Sequence, residues 1–267
     1  MFLYYITDRT QLSPDSEESV HLLLDRIGVT AKAGLDAIQL REKDLTAHAL
    51  VELGRRAVQI VQQANASNPL KPHTRLLINS RVDVAITSGA DGVHLRSNDT
   101  SAADARAIFL HATGRQPLVG VSCHSVQEVE LAESQGADFA VFGPVFGKSS
   151  ALQQTHEGES ASGDAARCIS TTQSGGTNLR GTAGALSSTE LFELEAVCRR
   201  QRTARPAMPV LALGSIEMGN AAECLRAGAG GVGGIRLFQQ GNATEVVSYL
   251  RGLDLRPMGG MFANPVK

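Results

Sequence analysis

Gln39-Leu40-Arg41-Glu42-Lys43-Asp44 is a run of amide and charged side chains directly behind a short apolar stretch. Alternate residues of a strand share a face, so Gln39, Arg41 and Lys43 would point together and offer an amide and two cations to an anion. An exposed charged loop would be written with the same letters. Ile78-Asn79-Ser80-Arg81-Val82-Asp83 brings a second amide, Asn79, to the start of a helix, where Asp83 suits the first turn. His124 follows Ser122 and Cys123 after another apolar run, and imidazole is the side chain best matched to proton transfer near neutral pH. His94 lies within an apolar run and reads as a satisfied core residue, and no Ser/His/Asp order suggests a hydrolytic triad. The remaining candidates are small. Gly143, in Gly143-Pro144-Val145-Phe146-Gly147, lets backbone approach a ligand. Gly214-Ser215 and Gly233-Gly234-Ile235-Arg236 expose N–H groups suited to a phosphate, with Arg236 adding charge.

The elements that must position these residues recur as a phrase. It reads Gly34-Leu35-Asp36-Ala37-Ile38, Gly89-Ala90-Asp91-Gly92-Val93, Gly136-Ala137-Asp138-Phe139-Ala140 and, more loosely, Gly228-Ala229-Gly230-Gly231-Val232. Each copy closes an Ala-, Leu- and Glu-rich helical stretch and opens a short apolar run, so each spells helix stop, turn and buried strand. Four further apolar runs, Phe2–Thr7, Arg75–Asn79, Leu118–Ser122 and Val210–Leu213, bring the expected strands to eight. Helices are expected near 17–32, 46–64, 82–88, 103–111, 126–135, 188–202, 218–227 and 243–252. The strands are continuously apolar rather than alternating, as parallel strands covered on both faces should be. Eight βα units predict an α/β fold of the (β/α)₈ TIM-barrel type, built as a single domain over 1–267. A doubly wound open sheet has the same local pattern. Either fold places catalytic groups at the C-terminal ends of strands, which is where the candidates fall.

A compact barrel needs fewer than these 267 residues, and the surplus lies mostly in 148–187, a Ser-, Thr-, Gly- and Gln-rich insertion after strand six. With 25 basic and 27 acidic residues, the chain lacks the cationic excess that nucleic acid or an anionic membrane would demand. Cys123, Cys168, Cys198 and Cys224 are widely spaced, form no CxxC pair and suit a reducing compartment. No apolar stretch is long enough to span a membrane, and Met1–Asp8 lacks the pattern of a signal peptide, so the expected location is the cytoplasm.

Taken in order, the strand ends resemble the thiamine phosphate synthase/TenI family. The resemblance runs through Tyr5-Ile6-Thr7-Asp8, Gln39-Leu40-Arg41-Glu42-Lys43, Ile78-Asn79-Ser80-Arg81-Val82-Asp83 and Gly89 to Leu95. It continues with Gly120-Val121-Ser122-Cys123-His124-Ser125, Phe142-Gly143-Pro144-Val145-Phe146, Pro209 to Ile216 and Gly234-Ile235-Arg236-Leu237-Phe238. It covers nearly all of the chain outside the insertion. The family implies two activities on one barrel. One joins hydroxymethylpyrimidine pyrophosphate to thiazole phosphate with Mg²⁺ on the departing pyrophosphate. The other is the TenI-type tautomerisation that aromatises a thiazole carboxylate phosphate by proton transfer, with no cofactor.

Several positions depart from the synthase pattern. Ser80 stands where synthases carry a metal-binding Asp, and Arg96-Ser97 replaces the Gly-Gln ahead of the second metal candidate, Asp99. Lys148-Ser149-Ser150-Ala151 lacks the expected Thr-x-Thr-Lys, and Gly214-Ser215 replaces a glycine pair. These departures favour the tautomerase. His124 is then the acid/base, while Gln39, Arg41, Lys43, Asn79, Ser122, Gly143, Gly214, Ser215, Ile235 and Arg236 bind the phosphorylated thiazole. The alternatives are the synthase, with Asp99 and water completing a Mg²⁺ site, and a non-catalytic barrel that binds a thiamine intermediate for regulation. A small phosphorylated substrate is the expected partner, and self-association stays open.

Overall fold

The computed structural model describes residues 1–147, 188–201 and 208–253. The 148–187 insertion and Cys168 lie outside the described residues. The strands are β1 (Phe2–Ile6), β2 (Ala37–Leu40), β3 (Arg75–Asn79), β4 (Gly92–Leu95), β5 (Leu118–Cys123), β6 (Phe139–Phe142), β7 (Val210–Ala212) and β8 (Gly231–Gly234). They pair in parallel in chain order and close into a barrel, with Leu3 opposite Val232 at the seam. The helices are α1 (Ser16–Ala33), α2 (Ala47–Ser67), α3 (Val82–Ser88), α4 (Ala102–Thr113), α5 (Val126–Ser134), α6 (Ser188–Gln201), α7 (Ala221–Arg226), α8 (Arg236–Gln239) and α9 (Ala243–Arg251). The open-sheet alternative is thereby excluded.

The repeated phrase works as its residues suggest, and its aspartate does more. Gly34 and Gly89 end α1 and α3 at φ +97° and +79°, where a side chain would be strained. The aspartates two residues further on then turn back to the preceding strand. Leu3 N–H donates to Asp36 (2.6 Å), Leu76 N–H to Asp91 (2.8 Å) and Val119 N–H to Asp138 (2.7 Å). Each carboxylate satisfies a strand-opening donor at the bottom of the barrel, far from the candidate chemistry.

Alternation along each strand sorts side chains into two buried layers. Leu3 and Tyr5 face the helices, among Leu23, Ile27, Ile38 and Phe238. Tyr4 and Ile6 face the lumen with Ala37, Leu77, Phe139, Val141 and Leu211. Phe139 fills the lumen, stacked on Phe2 (5.2 Å, 29°) and edge-on to Tyr4 (5.2 Å, 74°). Its room comes from Gly120, where a Cβ would lie 2.3 Å from the Phe139 ring.

The expected helices end within three residues of the observed ones, and two differences stand out. α7 starts at Ala221 rather than near 218, because Asn220 folds the preceding segment into a turn. Its side chain accepts from Glu217 N–H (2.8 Å) and donates to the Ser215 carbonyl (3.0 Å). α8 was not expected; four residues are too few to show a helical period.

Candidate active site

A cavity of about 1380 Å³ opens at the C-terminal ends of the strands. Gln39, Arg41, Lys43, Asn79, Ser122 and His124 line one part of it, and Gly214, Ser215, Ile235 and Arg236 line another. Two expected site residues do not face it. Gly143 is buried and contributes only its carbonyl, and Asp99 is turned away onto Arg96.

The floor is a hydrogen-bonded chain. Tyr4 Oη donates to Gln39 Oε1 (3.1 Å), Gln39 Nε2 to Asn79 Oδ1 (2.7 Å) and Asn79 Nδ2 to Ser80 Oγ (3.2 Å). Tyr4 has only one hydroxyl proton, so its 3.0 Å contact with His94 Nδ1 runs the other way, with Nδ1–H donating. His94 Nε2 then accepts from Ser122 Oγ at 2.8 Å. Burial, with Arg41 nearby, pushes the His94 imidazole down to about 3, so the ring is neutral at physiological pH. Gln39 thus spends its carbonyl on Tyr4 and one amide hydrogen on Asn79, while it still lines the cavity beside Arg41 and Lys43.

The acidic letters of the Gln39–Asp44 run serve a brace that the sequence reading missed. Thr7 Oγ1 donates to Glu42 (2.5 Å) and accepts from Arg41 N–H (3.0 Å). Arg9, buried below the loop, grips Asp44 with both Nη atoms at 2.7 Å and approaches Glu42 at 3.5 Å. Burial raises the Glu42 carboxyl pKa, while the Arg9 guanidinium lowers that of Asp44. With both acids spent on Arg9, Arg41 and Lys43 keep no side-chain partner among the described residues. Arg9 lies far from the run in sequence, so only the fold reveals the pairing.

His124 ends β5. Its Nδ1 lies 2.5 Å from the Gly143 carbonyl, and its own N–H donates to Glu128 at 2.7 Å. A carbonyl can only accept, so Nδ1 carries the proton and Nε2 of the neutral ring is left as an acceptor. Across the cavity, Gly214 adopts φ +105°, and a Cβ there would lie 2.6 Å from Pro144 Cα. The N–H groups of Gly214, Ser215 and Ile235 have no hydrogen-bond partner among the described residues. Ser80 and Ser215 hold φ of +60° and +46°, positions uncommon for a side-chain-bearing residue and frequent at functional sites.

The Mg²⁺ site implied by the resemblance does not fit these residues. Asp99 accepts from Arg96 N–H (2.8 Å), from Arg96 Nη2 (2.9 Å) and from Ser80. Burial opposes its charge, yet these partners hold its carboxyl below the usual range. Among the described residues no three His, Cys, Asp or Glu side chains cluster as metal ligands. Arg96, Ser97 and Arg81 also line the cavity. The period-two rule that grouped residues 39, 41 and 43 would have found Arg96 two positions beyond His94.

A closed (β/α)₈ barrel with a cation-rimmed cavity at its strand C-termini defines a scaffold for binding small anionic molecules. The family model described as thiamine monophosphate synthase, TMP-TENI, matches residues 3–179, and the chain belongs to that family. A thiamine-phosphate synthase of Roseiflexus castenholzii is 31% identical over 231 residues, 86% of this chain and 77% of that protein. Shorter matches reach 42% identity with a protein of Geobacter sulfurreducens and 37% with a thiamine-phosphate synthase of Solidesulfovibrio magneticus, each over 144 residues, or 54% of this chain. These two matches span 59% and 60% of the relatives' lengths. Among solved structures, thiamine phosphate pyrophosphorylase from Pyrococcus furiosus superposes with a TM-score of 0.62 at 24% identity, covering 94% of this chain and 93% of that one. That likeness supports the barrel fold. Among the described residues no helix is long and apolar enough to cross a membrane.

Proposed function

We propose that the chain is a thiamine-phosphate synthase, which joins hydroxymethylpyrimidine diphosphate to a thiazole phosphate. In that transfer the bond from the pyrimidine methylene carbon to the diphosphate oxygen breaks, and its electron pair leaves with the diphosphate. The thiazole nitrogen lone pair forms the new carbon–nitrogen bond.

The observation that carries this reading is the presence of two anion zones on one cavity. Arg41 and Lys43, freed by the Arg9 brace, stand at the mouth of β2. The unpartnered N–H groups of Gly214, Ser215 and Ile235, with Arg236, stand at the mouths of β7 and β8. The former suits the more highly charged diphosphate and the latter a monophosphate. At about 1380 Å³ the cavity also exceeds the roughly 300–1,000 Å³ typical of a site for one small ligand. The synthase names among the relatives support this choice over the tautomerase that the sequence departures favoured.

Incubating the full chain with both substrates should release diphosphate and form thiamine phosphate in equal amounts. The absence of product, with or without Mg²⁺, would overturn the proposal.

One observation favours a second reading. His124, with Nδ1–H on the Gly143 carbonyl and Nε2 as an acceptor, is arranged as a proton acceptor. A thiazole tautomerase would use it, and His124→Ala would then lower tautomerisation by about 10²–10⁴. Synthase chemistry needs no such proton transfer, so that substitution should leave most synthase turnover intact. Tautomerisation of thiazole carboxylate phosphate by the wild-type chain, without synthase turnover, would establish the second reading over the first.

A further inference from the structure

We propose that Arg96, anchored on Asp99, takes over the charge-neutralising role of a divalent cation, so that a diphosphate is held at the mouths of β2, β3 and β4 by guanidinium and ammonium groups alone. The inference rests on the synthase reading and departs from the Mg²⁺ that the family resemblance implies.

Asp99 is the one carboxylate left at the implied metal position, and its oxygens are occupied. Arg96 N–H donates to Oδ2 at 2.8 Å, Arg96 Nη2 to Oδ1 at 2.9 Å, and Nε lies 3.3 Å from Oδ1. The Asp99 side chain is 11% exposed and does not face the cavity, whereas the Arg96 side chain is 61% exposed and does. Ser80 offers only a hydroxyl, which accepts from Asn79 and meets Asp99. A dication placed here would meet one spent carboxylate and the repulsion of an adjacent guanidinium.

The topology places three cations together. Asn79 of β3 is in register with His94 of β4, and Arg96 lies two residues beyond His94 on the same face. Arg41 stands in the same relation to Gln39 of β2, with Lys43 beyond it. With only β3 between β2 and β4, Arg41, Lys43 and Arg96 all line the one cavity. Among the described residues, five cations and two carboxylates line the cavity, and one of those carboxylates, Glu42, is committed to Thr7 and Arg9. Asp99 occupies Nε and one hydrogen of Nη2, leaving Nη1 and the second Nη2 hydrogen of Arg96 for phosphoryl oxygens. Guanidinium donors suit that geometry, and charge-assisted bonds of this kind are strong without a metal.

The test is calorimetric titration of inorganic diphosphate into the full chain, in EDTA and in excess MgCl₂, alongside turnover in both buffers. The expected result is binding in EDTA with an affinity that Arg96→Ala weakens about tenfold, the equivalent of one charge-assisted hydrogen bond. Arg96→Lys should restore part of the loss. Manganese paramagnetic resonance on the chain alone should show no protein-bound ion. The double substitution Ser80→Asp with Arg96→Gly should make diphosphate binding metal-dependent. Diphosphate binding only with Mg²⁺, or unchanged by Arg96→Ala, would overturn the inference while leaving synthase turnover to stand or fall separately. Metal-free binding weakened by Arg96→Ala, without any turnover, would support the anion site and remove the synthase assignment.

Discussion

Lowering the pH should weaken the fold through His94, with a magnitude set by its place beneath the cavity. In the folded chain the imidazole is buried between Tyr4 and Ser122 and titrates only at about 3 instead of the ordinary 6.5. The unfolded chain takes up a proton as pH falls through about 6.5, and the folded chain does not until about 3. Stability from this group is therefore complete above the unfolded value and drains as pH falls, by about 1.4 kcal/mol for each unit. Integrating from about pH 7.5 to about pH 5 gives a loss of about 2 kcal/mol from this one residue. His94→Asn removes the titrating ring while leaving a polar group near Tyr4 and Ser122. Urea unfolding of both proteins across that range isolates the residue, because other titrating groups are common to the pair. The wild type should lose about 2 kcal/mol more than the variant. Equal losses would refute the claim that the floor keeps this histidine neutral.

The remaining predictions concern packing and the site's supports. Gly120→Ala should lower stability by about 1–3 kcal/mol, read as a reduced thermal midpoint, because its Cβ would lie 2.3 Å from the Phe139 ring. Arg9→Met should cost about 3–5 kcal/mol near neutral pH by leaving Glu42 buried without its cation. Part of that loss should return on acidification, since a carboxyl with a raised pKa contributes stability at low pH that is lost as pH rises. Gly214→Ala should weaken phosphate binding about tenfold in calorimetry, because φ +105° and a 2.6 Å approach to Pro144 would force the loop to shift.

The barrel was legible because its instructions are local. Helix-stop glycines, short apolar runs and their spacing specify each βα unit, and parallel closure then follows from repetition. Most of the candidate site was legible for the same reason, since strand ends reach one face and alternation sorts the side chains. What escaped depends on pairings distant in sequence. Arg9 and Glu42 are 33 residues apart, and nothing near either foretells the brace. The aspartates of the repeated phrase looked like turn residues until their partners on the preceding strand were seen. Asp99 was a metal candidate only under the synthase alternative, and Arg96 three positions away draws it aside. Gly143 was expected at the ligand surface, yet what it supplies is the carbonyl that orients His124.

The seam between β1 and β8 also imposes an order in time. Phe2 N–H donates to the Gly230 carbonyl, and Arg251 from α9 reaches across to Asp36 and to the Gly34 and Met1 carbonyls. Seven of the eight strand junctions join consecutive strands, whereas this one joins the first to the last. During synthesis β1 emerges long before its partner β8, leaving one side of its backbone open as the growing sheet curls. Loop-closure entropy makes the same junction the costliest of the strand pairings to close. A barrel without edges when complete is thus an edged sheet for most of its assembly, and the Arg251 clasp secures the last gap to shut.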